Sequence, residues 1–321
     1  MNYGLPYQGS KNRIAKRLVD ALPPAPVLYD VFCGGCAVTH AAMLSGKYQH
    51  FVVNDLRGWL PAAFREAIHG GYAHEDRWIS REDFERLKST DAYAALCFSF
   101  GNNTQSYMYA RGLEPYKRAL HHAIFWRDFA PWRELCPETA DALASGLAPI
   151  EDRKQRRVQA GHFIIESLKA QLAAEMLTPD ILDKPIYRQI KATPNNSLQR
   201  LQSLESLERL QSLERLESLP GALTAHSGDY RELCFDEPGV IYCDPPYKDT
   251  ADKSKDYADT SFDAESFYSW CERQALPVYI SEYQMPEDRF VCIAEWDKVT
   301  TMASKTTNHV TERLWRPRTQ L

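Results

Sequence analysis

Residues 27–55 read VLYDVFCGGCAVTHAAMLSGKYQHFVVND, and they decide the fold. Val27 to Phe32 is an apolar run of strand length, and Ala37 to Leu44 is composed as the start of a helix. Between them, Gly34 and Gly35 mark a tight turn. His50 to Asp55 is a second apolar run that ends in an acid, and a helical pattern follows to about Ile68. Strand, glycine turn, helix, strand and acid together open a doubly wound α/β sheet. Glycines at that turn let a cofactor approach the backbone at a helix N-terminus. The G-x-G-x-x-G pattern is absent, which disfavours a nicotinamide dinucleotide. Asp55 stands where an acid reaches ribose hydroxyls in such folds. A lone glycine pair is more often a plain turn; followed by that acid, it fits a nucleoside cofactor without a pyrophosphate.

Further along, Val240 to Cys243 (VIYC) is another apolar run, and it leads into Asp244-Pro245-Pro246-Tyr247. Pro277 to Ser281, Phe290 to Ala294 and Thr311 to Trp315 also read as strands. Strands at both ends of the chain, with a long middle between them, predict one sheet carrying an insertion. Two prolines at a strand end fix the backbone and remove two amide donors, leaving carbonyl oxygens to accept. An acid beside them adds an acceptor and the tyrosine adds a flat face. That set suits gripping a planar molecule through an amino group; the bland alternative is a rigid turn with a surface aromatic. Tyr7-Gln8-Gly9-Ser10-Lys11 is ambiguous in the same way: a surface turn taken alone, or a lysine placed for a carboxylate and a tyrosine placed for a ring.

Composition sets wider bounds. The 321 residues are 44% hydrophobic and 25% charged, ordinary for a globular protein with one large core or a core plus a smaller domain. The first residues do not resemble a secretory signal, and no run approaches the ~18 apolar residues of a membrane span. A soluble, cytoplasmic protein without a membrane partner is expected, and no feature demands an obligate protein partner. The net charge of −5 does not exclude nucleic acid, because affinity for phosphates depends on local basic faces. Lys117 with Arg118, then Arg153, Lys154, Arg156 and Arg157, then Arg188 and Lys191 form such clusters, each of which could equally be a solvated helix face. Cys33 and Cys36 have C-x-x-C spacing, but no second pair completes a zinc ribbon, so no metal is expected. A redox role stays open.

The middle, about residues 100–222, reads as a mainly helical module. It contains the loop GNNTQSYMYARG and ends in a low-complexity tract, residues 197–219, with a leucine at every third position. Helix is the favoured reading there, with Glu205 and Arg209 as an i,i+4 pair. A step of three residues falls about 60° short of a full turn, so the leucines should wind around such a helix.

Taken in order, YQGSK at 7–11, DVFCGG from 30, ND at 54–55, SFGNN and YMYARG between 99 and 112, SGDY at 227–230, DPPY at 244–247, ISEY at 280–283 and the TERLW ending resemble the Dam-like class of N6-adenine DNA methyltransferases. The resemblance implies a Rossmann-like class I methyltransferase sheet formed by residues 1–98 and 223–321, with residues 99–222 as an inserted target-recognition domain. It implies S-adenosyl-L-methionine as cofactor and double-stranded DNA as partner. Tyr7 and Lys11 would contact the methionine part, Asp30, Phe32 and Gly34 would line the pocket, Asp55 would hold the ribose, and Asp229 would sit by the cofactor's adenine. Asp244, Pro245, Pro246 and Tyr247 would form the catalytic motif, with Asp244 bordering the cofactor as well. Asn102, Asn103, Arg111 and Lys117 would contact DNA. Two positions depart from the family pattern. Cys36 stands where a third glycine is usual, and Ser281-Glu282 stands where Ser-Asn is common.

Two other readings compete. An RNA adenine N6-methyltransferase could use the same pocket, although a long insertion suits reading a duplex. A non-catalytic DNA-binding protein would be expected to have a damaged DPPY or a lost cofactor acid, and both are intact. Cytosine-N4 and protein-glutamine methyltransferases usually carry Ser or Asn where Asp244 stands.

Overall fold

The computed structural model describes residues 2–161, 202–246, 262–301 and 307–321. Seven strands form one mixed sheet: β1 (Val27–Asp30), β2 (His50–Asp55), β3 (Ala222–Ser227), β4 (Gly239–Cys243), β5 (Val278–Glu282), β6 (Phe290–Thr301) and β7 (Thr307–Pro317). Their spatial order is β3-β2-β1-β4-β5-β7-β6. Strands β1 to β5 run parallel, and β7 is antiparallel to both β5 and β6. This is a Rossmann-like α/β sheet, the architecture that the resemblance implies.

Every residue of β1, β4 and β5 is buried, as expected of parallel strands covered on both faces. Alternate residues point to one side: Val27 and Tyr29 of β1, Ile241 and Cys243 of β4, and Val278 and Ile280 of β5 pack in one core with Phe267, Trp270 and Cys271. Those last three belong to the helix Ala264–Arg273, whose N-terminus is capped by Asp263 accepting from Ser266 N. The chain lays β2 and β3 on one side of β1, then returns to place β4 and β5 on the other. The carboxyl ends of β1 and β4 therefore flank the switch point, where open α/β sheets bind their ligands.

The strand readings from sequence hold, but β3 (ALTAHS) was not anticipated. It is an edge strand with no fully buried residue, so its sequence lacks an apolar run. The terminal hairpin is also longer than its apolar stretches. Among the described residues, no helix is long and apolar enough to cross a membrane.

The chain divides into two compact units, Met1–Ala73 with Arg209–Leu321, and His74–Glu208. These joints differ from the expected 98/99 and 222/223. The helices Arg81–Leu87 and Ala92–Cys97 fall in the second unit because Tyr93 and Phe98 belong to its aromatic core, in which Trp78 stacks on Tyr109 and meets Phe98 edge-on. A second core in that unit joins Tyr116, Leu120, Ile124, Trp132, Leu143 and Leu204.

Part of the leucine tract, 197–201, lies outside the described residues. The rest corrects the expected winding: Leu204, Leu207, Leu210, Leu213 and Leu216 are each at most 2% exposed. The α-helix spans only Gln202–Gln211, so its three leucines cover an arc of about 120°. The chain then tightens into a 3-10 turn, Glu214–Leu216, where residues three apart eclipse. A period of three thus suits the second half of the tract directly. The expected Glu205–Arg209 pair is replaced by other contacts: the Arg209 guanidinium donates to the carbonyls of Tyr3 and Gly4, and Glu205 pairs with Arg157.

Candidate active site

The turn after β1 is built on left-handed backbone. Gly34 has φ 47° and Cys36 φ 55°, so Cys36 adopts the conformation that a glycine would supply at that position, at a cost of roughly 1–2 kcal/mol. Both cysteines are buried free thiols, and burial pushes the Cys33 thiol well up. The N-terminal segment closes over this turn through Leu5 N donating to Gly35 O at 2.7 Å. Gly4 has φ +67°, and a Cβ there would lie 2.1 Å from Gly35 O. Gly4→Ala is therefore expected to lower stability by about 2–4 kcal/mol, combining backbone strain with a backbone clash; an unchanged urea midpoint would contradict this.

Asp55 ends β2 and organises the same turn. Its carboxylate accepts from Gly34 N and Arg57 N, both at 2.9 Å, and Arg57 reaches the Tyr7 hydroxyl at 3.3 Å. Tyr7, Gly34 and Asp55 thus come together, with the Tyr7 ring alongside Gly34. Burial raises the Asp55 pKa, and the two backbone donors oppose the rise.

Phe32 belongs to an aromatic wall with Tyr230, Phe262 and Phe267, at ring separations of 5.1, 6.1 and 5.6 Å. Sequence reasoning had not singled out Tyr230. Asp229, next to it, accepts from the Arg231 backbone and side chain.

Asp30 was expected among the residues lining the cofactor pocket. It is 1% exposed, and Thr39 Oγ1 donates to its Oδ2 at 2.6 Å. Burial pushes its pKa up to about 7, against the Thr39 bond. Its Oδ1 is buried with no hydrogen-bond partner among the described residues.

Asp244 leaves the end of β4 and accepts from Lys11 Nζ at 2.6 Å, and Lys11 also pairs with Glu312 Oε1 at 3.5 Å. Lys11 is 5% exposed and Glu312 fully buried. Burial alone would lower the Lys11 pKa; Asp244 and Glu312 outweigh it, and the net shift is upward. The Lys11 ammonium, expected on the methionine part, is here directed at Asp244. Glu312 lies within the TERLW ending, but nothing in its local pattern marks it as a partner of Lys11. Tyr247 lies outside the described residues.

Beside Asp244 a pocket opens, lined by Pro245, Pro246, Phe262, Ile280, Met285 and Glu282, among others. Prolines and rings supply flat walls, and Glu282, left without a role by sequence, supplies an acid.

In the second unit the expected DNA contacts fare differently. Lys117 is 2% exposed inside the helix Glu114–Trp126, its pKa lowered by burial to about 8, so its expected place on a DNA-facing surface is corrected to the interior. Asn102 Nδ2 donates to Leu96 O and Ser206 Oγ, and Asn103 Oδ1 accepts from Gln105 N and Ser106 N. Asn102 ties its loop to the helices Ala92–Cys97 and Gln202–Gln211, and Asn103 shapes its own loop. Arg111 is exposed, as are Arg118 and Lys154. Arg156 is buried on the carbonyls of Ile124, Ile150 and Glu151, and Arg157 pairs with Glu205 and Glu208. Half of that basic run is therefore internal structure. Arg188 and Lys191 lie outside the described residues.

The residues at the switch point fit an S-adenosyl-L-methionine-like group in their chemistry. Asp30 leaves a buried carboxylate oxygen unpartnered, Asp55 offers an acid beside a glycine turn, and Phe32 with Tyr230 offers flat apolar surface.

The chain superposes on a methylase of Haemophilus influenzae with 10% identity and a TM-score of 0.28, covering 97% of this chain and 90% of that one. It superposes on the rRNA methyltransferase aviRa of Streptomyces viridochromogenes with 10% identity and a TM-score of 0.34, covering 97% and 86%. No curated protein matches in sequence. Residues 7–124 match the family model described as D12 class N6 adenine-specific DNA methyltransferase, a span that includes Tyr7, Lys11, the turn after β1 and Asp55. Over residues 7–124 the chain is similar to the D12 class N6 adenine-specific DNA methyltransferases, a Dam-like family.

Proposed function

We propose that this protein transfers a methyl group from S-adenosyl-L-methionine to N6 of an adenine in double-stranded DNA. The observation that carries the reading is Asp244, aligned by Lys11 at 2.6 Å beside a pocket walled by Pro245, Pro246 and Phe262. The lone pair of an adenine amine is delocalised into the ring, so the amine is a poor nucleophile. In this proposal one N–H donates to the Asp244 carboxylate and the other to the Pro245 carbonyl. Two acceptors pulling on the amine favour a tetrahedral nitrogen whose lone pair is released for attack, and the same acceptors stabilise the charge that develops there. Lys11 holds Asp244 in its ionised form, which accepts only. When bound, the cofactor supplies an electrophilic sulfonium methyl; Asp55, Phe32 and Asp30 would hold it at the end of β1.

A paired adenine cannot present its amine to this pocket. The base would leave the duplex at a cost of a few kcal/mol, and stacking on Tyr247 would return about 1–3 kcal/mol. The second unit would carry target recognition, with Arg111, Arg118 and Lys154 available to phosphates. Incubation with tritiated cofactor and either unmethylated duplex DNA or structured RNA, followed by nucleoside analysis, tests this. Label is expected in N6-methyladenine from DNA; label in RNA alone would overturn the DNA assignment, and label in neither would overturn the reading altogether.

A further inference from the structure

The pocket beside Asp244 has walls for the faces of a ring and one carboxyl group at its edge. Glu282 ends β5, and β5 lies parallel to β4 with Ile280 opposite Cys243. Asp244 and Glu282 therefore emerge from neighbouring strands at the same, carboxyl end of the sheet. Glu282 is 8% exposed and lines the pocket with Pro245, Pro246, Phe262, Ile280 and Met285. Its Oε1 accepts from Tyr283 N at 2.8 Å.

We infer that Glu282 reads the edge of the acceptor base, donating a hydrogen bond from its carboxyl group to the ring nitrogen next to the amine. The inference rests on the adenine reading above and extends it. In adenine that nitrogen is N1, an acceptor one bond away from the carbon that bears the amine. The pair Asp244 and Glu282 would then match the amidine edge, with Asp244 accepting from the amine and Glu282 donating to the ring. A guanine in the same place presents an N–H and a carbonyl oxygen, and meets both groups with the wrong polarity.

Two carboxyl groups with different surroundings can divide these roles. Lys11 lies on Asp244 and favours its anion, leaving the proton to Glu282. Burial pushes Glu282 up to about 8; the Tyr283 N–H opposes this, Asp244 adds to it, Lys11 opposes it and Glu312 adds to it. Tyr268, on the helix packed beside the pocket, also feels the Glu282 charge. The donor form would be present below that value and lost as pH rises through it.

The test uses the full-length enzyme and duplex oligonucleotides carrying either adenine or 1-deazaadenine, which lacks N1, at the methylated position. Wild type should prefer adenine by about 10- to 100-fold in kcat/KM, the range of one lost hydrogen bond to a polar group that stays buried. Glu282→Ala should lose most of that preference. Glu282→Gln keeps an N–H donor at every pH, so it should keep the preference and lack the decline in kcat/KM above about pH 8 expected of wild type. If Glu282→Ala retains the full preference, or Glu282→Gln shows the same alkaline decline, the inference falls while the adenine reading stands. Wild type that is silent on adenine itself would remove both.

Discussion

Asp244→Asn is expected to reduce methyl transfer by at least about 10²–10³-fold, the scale on which removing one preorganised electrostatic contact slows an enzyme. The amide keeps the shape of the side chain but lacks the charge, and it presents a donor where the amine needs an acceptor. Lys11 keeps Glu312 as a charge partner, so the fold should survive the substitution. Cofactor affinity, measured by calorimetry, should fall much less than turnover, because Asp55, Phe32 and the turn after β1 are untouched. Equal losses of affinity and turnover would mean that Asp244 serves binding rather than the chemical step.

Lys11→Met should have the largest effect on stability. Lys11 is 5% exposed and stands between Asp244 and Glu312, the latter fully buried. Removing the cation leaves two acids without their shared counter-charge, and breaking a buried pair in this way costs about 3–5 kcal/mol. A second substitution, Glu312→Gln, removes one of those charges and should recover part of the loss. The pH dependence follows from the upward shift of Lys11. A lysine held above its unfolded value contributes its full stabilisation below pH ~10.4 and loses it as pH rises through the folded value. Wild type should therefore lose stability on the strongly alkaline side, and Lys11→Met should lack that contribution. Urea unfolding across pH reads both effects, and identical midpoints for the two proteins would count against the buried-triad account.

The strands that form the middle of the sheet were legible because parallel strands covered on both faces must be continuously apolar. VLYD, VIYC and PVYIS have that character; ALTAHS, at the edge, does not need it and stayed hidden. Asp55 and Asp244 were legible because each ends a strand, where backbone geometry limits what an acid can reach. Lys11 could be singled out from its turn, but its pairing with Asp244 and Glu312 could not, since these lie 233 and 301 residues away in sequence. The same blindness to distance made Lys117 look like a surface cation and the run at 153–157 look like a basic face. Local composition does not reveal which side of a helix the core will take. The leucine tract misled for another reason: its period was read against one long α-helix, and the chain changes helix type partway through.

The pairing of β2 with β3 has a consequence for biosynthesis. β2 ends at Asp55 and its neighbour begins only at Ala222, so a ribosome must release the whole intervening stretch before this edge of the sheet can be sealed. Until then the nascent chain presents an unsatisfied ladder of amides and carbonyls on β2, the kind of edge that invites association with other chains. The entropic cost of closing so long a connection grows only logarithmically with its length. Lengthening or shortening the segment would therefore change the time the edge stays open far more than the stability of the finished sheet.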